Sequence, residues 1–111
     1  MSSNVRTVPL PGEVWFVDLG MVGKPRYALV LAARTDARLA LASVVLITTQ
    51  FEDTPYEVTL PRVPWLREQS HINAQSIQPV KFTEFVRKAP GKFDARVMSN
   101  VEAALKRWLK L

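Results

Sequence analysis

The residues best placed to do chemistry stand where a buried strand ends. Val44-Val45-Leu46-Ile47 is an apolar, β-branched run of the kind found in a strand covered on both faces. It changes abruptly to Thr48-Thr49-Gln50, two hydroxyls and an amide delivered at the strand's mouth. Hydrogen-bonding groups on a rigid frame are suited to orienting a polar ligand. Threonine is also simply a good strand former, and the local pattern alone favours that plainer reading. A second set falls in residues 70–80, read as one strand, where His71, Asn73 and Gln75 share a face opposite Ile72 and Ala74. That polar face is a candidate wall of a site, or equally the solvent side of an amphipathic strand. Arg26 adds a permanent charge at the entrance of another strand, beside the loop Gly20-Met21-Val22-Gly23-Lys24-Pro25.

Several chemistries are excluded. The chain has no cysteine, so disulfides, thiolate metal sites and a cysteine nucleophile are out. His71 is the one histidine and has no acidic neighbour in sequence, which implies no Ser-His-Asp set and makes a histidine metal site a poor fit. No carboxylate cluster replaces it, and neither metal nor cofactor is expected. Four scattered glycines, at 12, 20, 23 and 91, form no phosphate-cradling loop. No apolar run approaches the roughly 18 residues of a membrane span. MSSNVRTVPLPGEV does not read as a signal peptide, so a cytoplasmic protein is expected.

Charge is uneven along the chain. Residues 1–80 carry seven basic and seven acidic side chains; residues 81–111 carry eight and three, so the whole net charge of +5 lies in the last third. Such an excess favours nucleic acid or an acidic partner over a neutral small molecule. That third has few interleaved aromatics and supports no base-stacking platform.

These residues need a frame. Residues 1–10 read as a flexible lead and 11–111 as a single domain, 48% hydrophobic and able to bury a core. Strands are expected over 13–19, 26–32, 39–50, 56–60 and 70–80, with a turn at Phe51-Glu52-Asp53-Thr54-Pro55. Pro61 and Pro64 keep 61–66 irregular, and 81–85 reads as a linker. Asp94 caps a helix over 95–109, whose Val97, Val101, Ala104, Leu105 and Trp108 form one apolar stripe. The fold class is mainly β: a small SH3-like antiparallel barrel or half-barrel of five to seven strands with a C-terminal helix, an OB-like barrel being the alternative. Both faces of the first strand are largely apolar, more surface than one helix covers, so a symmetric homodimer is expected.

The order of the pieces resembles the MazF/PemK family of toxins from bacterial toxin–antitoxin pairs. Pro11-Gly12-Glu13-Val14-Trp15-Phe16-Val17-Asp18 is similar to the family's opening, and Arg26-Tyr27-Ala28-Leu29-Val30-Leu31 to its arginine-proline-alanine-leucine-valine strand, with Tyr27 in place of proline. Ile47-Thr48-Thr49-Gln50 followed by Pro55-Tyr56-Glu57-Val58 resembles its most familiar segment, and Ser70-His71-Ile72-Asn73-Ala74-Gln75-Ser76-Ile77 a later block. The resemblance implies an SH3-like homodimer that cleaves single-stranded RNA without a metal, by attack of a ribose 2′-hydroxyl on the adjacent phosphate. It also implies an acidic antitoxin with a disordered tail, and admits DNA binding in complex with that antitoxin. Carried onto this chain, Arg26 becomes the cation and acid, Thr48 and Thr49 orient the phosphate, and Lys24, Gln50, Asn73 and Gln75 contact RNA. Asn73 and Gln75 stand where some members have an arginine and an aspartate, and neither exchanges a proton near neutrality. His71 is left as the titrating candidate for the base. The alternative is a non-catalytic member that binds nucleic acid, antitoxin or, like the gyrase poison CcdB, a protein target. CcdB ends in tryptophan-glycine-isoleucine, whereas Trp108 is followed here by Leu-Lys-Leu.

Overall fold

Alternating side chains build a sheet that is covered on both faces. In β1 (Val14–Val17), Val14 packs into one apolar cluster while Trp15 and Val17 pack into another. β2 (Arg26–Ala33) repeats the division, with Leu29 in the first cluster and Ala28 and Val30 in the second; β3 (Leu41–Thr48) does so with Val45 and Ile47 against Ala42 and Val44. Antiparallel pairing aligns Val14 with Leu29 and Leu29 with Val45, so each cluster is a row across three strands. Complete burial of such a side chain contributes about 1.5–3 kcal/mol, and Val14, Leu29 and Val45 are all fully buried. The computed structural model describes residues 8–20 and 23–111. Residues 1–7 of the expected lead, and Met21 and Val22 of the first loop, lie outside the described residues.

The remaining strands are β4 (Glu57–Thr59), β5 (His71–Asn73), β6 (Gln78–Lys81) and β7 (Phe85–Lys88). The order is β4-β5-β3-β2-β1-β7, all pairs antiparallel, and β3 forks: its first half pairs with β6 and its last two residues with β5. Among the described residues the sheet does not close, with β4 and β7 at its two ends. The mainly β class with a C-terminal helix is as expected.

Two local expectations are corrected. Residues 70–80 are not one strand, because a 3₁₀ turn at Ala74–Ser76 divides them. Asn73 Oδ1 accepts from the Gln75 N–H at 2.9 Å, and the Ser76 hydroxyl donates to the Asn73 carbonyl at 2.7 Å while accepting from the Leu46 N–H. Short polar side chains thus compete with the ladder and end it. Alternation stops at Asn73, so Gln75 does not share a strand face with His71 and Asn73. Residues 81–85 are not a linker either: they finish β6, make a 3₁₀ turn at Phe82–Glu84 and begin β7. Trp15 and Val17 meet Val80, Phe82 and Phe85 there, so the second apolar face of β1 is covered within the chain and gives no reason for a dimer.

α1 (Ala95–Leu109) starts at Asp94, whose carboxylate accepts from the Val97 N–H at 3.0 Å, and stops at Lys110 in the left-handed region. Val97, Val101 and Ala104 seal the first cluster, and Trp108 packs edge-on against Tyr56. Glu13 closes the opposite side. Burial pushes its carboxyl pKa up, but hydrogen bonds from the Trp15 indole and the Leu10 N–H, with Lys88 beside it, more than offset this and leave it lowered.

Candidate functional site

Arg26 opens β2 opposite Val17, the last residue of β1. After β1, Gly20 has a φ of +67°, which suits glycine, and its N–H donates to Asp18. The β2–β3 register pairs Ala28 with Leu46; carried two residues further, it sets Arg26 alongside Thr48. Both line one open cavity of about 530 Å³, together with Thr49. The Thr48 hydroxyl accepts from the Gln50 N–H at 3.1 Å. Its own hydrogen is therefore left to donate outward.

One side of the cavity is aromatic. Phe16, Tyr27, Trp65 and Phe93 follow one another with ring centroids 5.2, 5.3 and 5.6 Å apart, the first three lining the cavity. Tyr27, the departure from the family's usual proline, is a member of this row. The row reaches the 89–91 turn, where Gly91 leaves the room that the Trp65 indole occupies; a methyl there would stand 3.3 Å from its nitrogen.

The other side is charged. Arg87, on β7, lies over the Phe16 ring at 4.2 Å, a cation–π contact that holds the guanidinium against the rim. Arg67 and Glu68 come from the irregular segment after β4, anchored by buried Leu66 and by Gln69, which donates to the Leu60 carbonyl at 2.6 Å. Among the described residues no carboxylate forms an ion pair with Arg26, Arg67 or Arg87. Three guanidinium groups around one open cavity make an anion site, and their planar forks match phosphate geometry. Glu68 is the one carboxylate among its described lining residues.

The structure therefore brings Arg26, Thr48 and Thr49 together and leaves the other candidates outside this lining. Lys24 and Gln50 are exposed close by. His71 pairs in register with both Thr48 and Thr59, but its Nδ1 shares a hydrogen bond with the Thr59 hydroxyl at 3.0 Å and Phe51 stacks on its ring. Asn73 is occupied with the Gln75 N–H, and Gln75 is exposed on the 3₁₀ turn. Sequence reasoning missed Arg67, Glu68 and Arg87. The first two follow a two-proline segment, a signal that could have flagged a loop beside the site. Arg87 had none, because β7 is a short edge strand with half its residues basic and no clean alternation. Among the described residues no group of three or more His, Asp or Glu is spaced to share a metal ion.

Across residues 10–109 the chain matches the model of a family described as PemK-like, MazF-like toxin of type II toxin–antitoxin system. The chain belongs to that family. Its structure is similar to an endoribonuclease of a mycobacterial species solved with its cognate antitoxin, at a TM-score of 0.77 and 24% identity, covering 93% of this chain and 96% of that one. MazF from Deinococcus radiodurans gives 0.76 and 22%, over 95% and 99% of the two chains. Mycobacterium tuberculosis toxin MazF-mt6 gives 0.76 and 22%, over 89% and 97%. No curated protein matches the sequence. Among the described residues no helix is long and apolar enough to cross a membrane.

Proposed function

We propose that this toxin is a metal-independent endoribonuclease that cuts single-stranded RNA at the cavity beside Arg26. The observation that carries the reading is the cavity's composition: three guanidinium groups without carboxylate partners among the described residues, and two threonine hydroxyls at a strand end. The family and the fold shared with endoribonucleases support it.

The reaction needs three things: a group to take the 2′-hydroxyl proton, cations for the charge that grows on phosphorus oxygens, and a proton for the departing 5′ oxygen. Arg26 answers the second, with Thr48 and Thr49 fixing the non-bridging oxygens. The departing alkoxide is basic enough to draw a proton from Arg26, which solvent restores. His71, fixed to Thr59 and beneath Phe51, is badly placed to serve as base. Glu68 suits that role: its carboxylate takes the 2′ proton as the new O–P bond forms and the P–O5′ bond breaks. The products are a 2′,3′-cyclic phosphate and a 5′-hydroxyl.

The wider reading is a homodimer, held in check by an acidic antitoxin whose disordered tail lies along the same groove, with DNA bound by the toxin–antitoxin complex. Half-exposed Trp108 and Leu109 and free Leu111 at the end of α1 supply apolar surface for such contacts. Incubation of the pure protein with mixed-sequence RNA in excess chelator tests the activity, with mass spectrometry of the ends. Cyclic-phosphate termini are expected, and Glu68→Gln should lower the rate about 100-fold. Intact RNA would overturn the nuclease reading in favour of a non-catalytic binder.

A further inference from the structure

We propose that Phe51 is a stacking platform for one nucleobase of a single-stranded nucleic acid whose phosphate occupies the arginine-lined cavity. This rests on the nucleic-acid reading above and deepens it. Phe51 is 47% exposed, although it follows a buried strand by only three residues. Its ring is not loose. It lies nearly parallel to the imidazole of His71, with centroids 4.5 Å apart and planes at 19°. His71 is itself 7% exposed and fixed by its bond to Thr59, so one side of Phe51 rests on an immobile support.

The loop that carries Phe51 is clamped as well. Glu57 accepts from the Glu52 N–H at 2.8 Å, the Thr54 N–H at 2.7 Å and the Thr54 hydroxyl at 2.8 Å. Asp53 takes the left-handed conformation that the tight turn requires, one aspartate tolerates better than most residues. A flat aromatic ring held in place and open to solvent loses little entropy when a planar partner covers it. Every base has a π-face, so such a ring accepts single-stranded nucleic acid broadly.

Position decides the ligand. Phe51 is two residues beyond Thr49, and the imidazole beneath it belongs to the residue paired with Thr48. The platform, in the loop that follows β3, and its support on β5 therefore flank the phosphate-orienting hydroxyls. The cavity's three guanidinium groups, without carboxylate partners among the described residues, call for a polyanion. A single-stranded nucleic acid, which carries a phosphate and a base on every unit of one chain, satisfies both features.

The test is a fluorescence titration with a mixed-sequence, all-deoxy decamer carrying 2-aminopurine, which lacks the 2′-hydroxyl needed for cleavage. The proteins compared are wild type, Phe51→Ala, Phe51→Leu and Phe51→Trp, each with its melting temperature and light-scattering mass. Wild type should quench the probe on binding. Phe51→Ala and Phe51→Leu should bind about tenfold more weakly with little quenching, and Phe51→Trp should bind as wild type. Binding by Phe51→Leu equal to wild type would overturn the platform, because bulk rather than stacking would then be what matters. A change in the number of subunits per assembly on Phe51→Ala would overturn it in favour of a protein–protein contact at this ring. Weakened binding of an acidic peptide but not of the decamer would do the same for a peptide ligand. The nuclease reading fails separately: a wild type that binds the decamer through Phe51 yet leaves RNA intact supports the platform alone. A wild type that cuts RNA as fast as Phe51→Ala leaves the nuclease and removes the platform.

Discussion

The mouth of β2 and β3 and the turn after β5 begin from the same sequence signal and end differently. Each has polar side chains arriving at the end of a short buried strand. At the first, Arg26 and Thr49 make no hydrogen bond to another described side chain, and among the described residues Thr48 uses only its acceptor side. At the second, Asn73 serves the Gln75 N–H, Ser76 serves both the Asn73 carbonyl and the Leu46 N–H, and His71 holds Thr59. A polar group at a strand end is available for a ligand to the extent that the backbone around it leaves its donors and acceptors unused. β3 continues into a loop clamped by Glu57, which leaves Thr49 and the donor side of Thr48 open. β5 must turn at once into β6, so its side chains supply the missing turn bonds.

The largest expected effect separates the two regions directly. Arg26→Ala should lower RNA cleavage on the order of 100- to 1,000-fold, the usual loss of a donor aimed at transition-state charge. Its melting temperature should stay near wild type, since the guanidinium is not part of either apolar cluster. Asn73→Ala should do the reverse. It should cost about 1 kcal/mol of stability, measured by urea unfolding, and leave the rate per folded molecule unchanged. A large rate loss in Asn73→Ala at full stability would erase the distinction and return this turn to the catalytic site.

A smaller effect concerns where the positive charge acts. Only one of the cavity's three arginines, Arg87, comes from the strongly basic last third of the sequence; the others are Arg26 and Arg67. If each displaces one counterion from single-stranded RNA, the log–log salt dependence of binding should have a slope of about −2. Arg67→Ala and Arg87→Ala should each weaken binding about tenfold and make that slope shallower by about 0.7. Lys106→Ala and Lys110→Ala, on the end of α1, should leave it unchanged. Equal slopes for all four variants would mean that diffuse charge, not the cavity, attracts the RNA.

The reach of sequence reasoning follows from the same physics. α1 was legible to the residue, because a 3.6-residue stripe and an aspartate cap are both local signals. β1, β2 and β3 were legible as strands because each is largely buried on both faces and so is mostly apolar. Arg26, Thr48 and Thr49 were grouped by the family resemblance, because the local pattern of a threonine-ended strand favours the plainer reading. The division of residues 70–80 was not legible. Asn73, Gln75 and Ser76 suit alternation as well as they suit a turn, and the N–H of Leu46 that recruits Ser76 lies 30 residues away. Arg87 was hidden for a related reason, since β7 is defined by its partner β1 and by Phe16 beneath the guanidinium, not by its own pattern.

The smallest prediction concerns Glu57 and uses pH to sharpen the comparison. The Glu52 N–H above all, then the Thr54 N–H and hydroxyl, hold the Glu57 carboxyl below its ordinary value of 4.5, with the charge of His71 contributing least. The folded-state pKa is lowered, so ionised Glu57 stabilises the protein above about 4.5. That stabilisation is lost as pH falls through the lower folded value. Glu13 is lowered too and adds in the same direction, so the melting temperature should fall as the solution is acidified below 4.5. Glu57→Gln should remove part of that slope, and its melting temperature at pH 7 should drop toward the value the wild type reaches at acid pH. Its effect on cleavage should be confined to substrate affinity, because Glu57 braces the loop bearing Phe51 and does not line the cavity. A fall in turnover at saturating RNA, with affinity intact, would mean that the braced loop positions Thr48 and Thr49 for the chemistry. The two regions would then work as one.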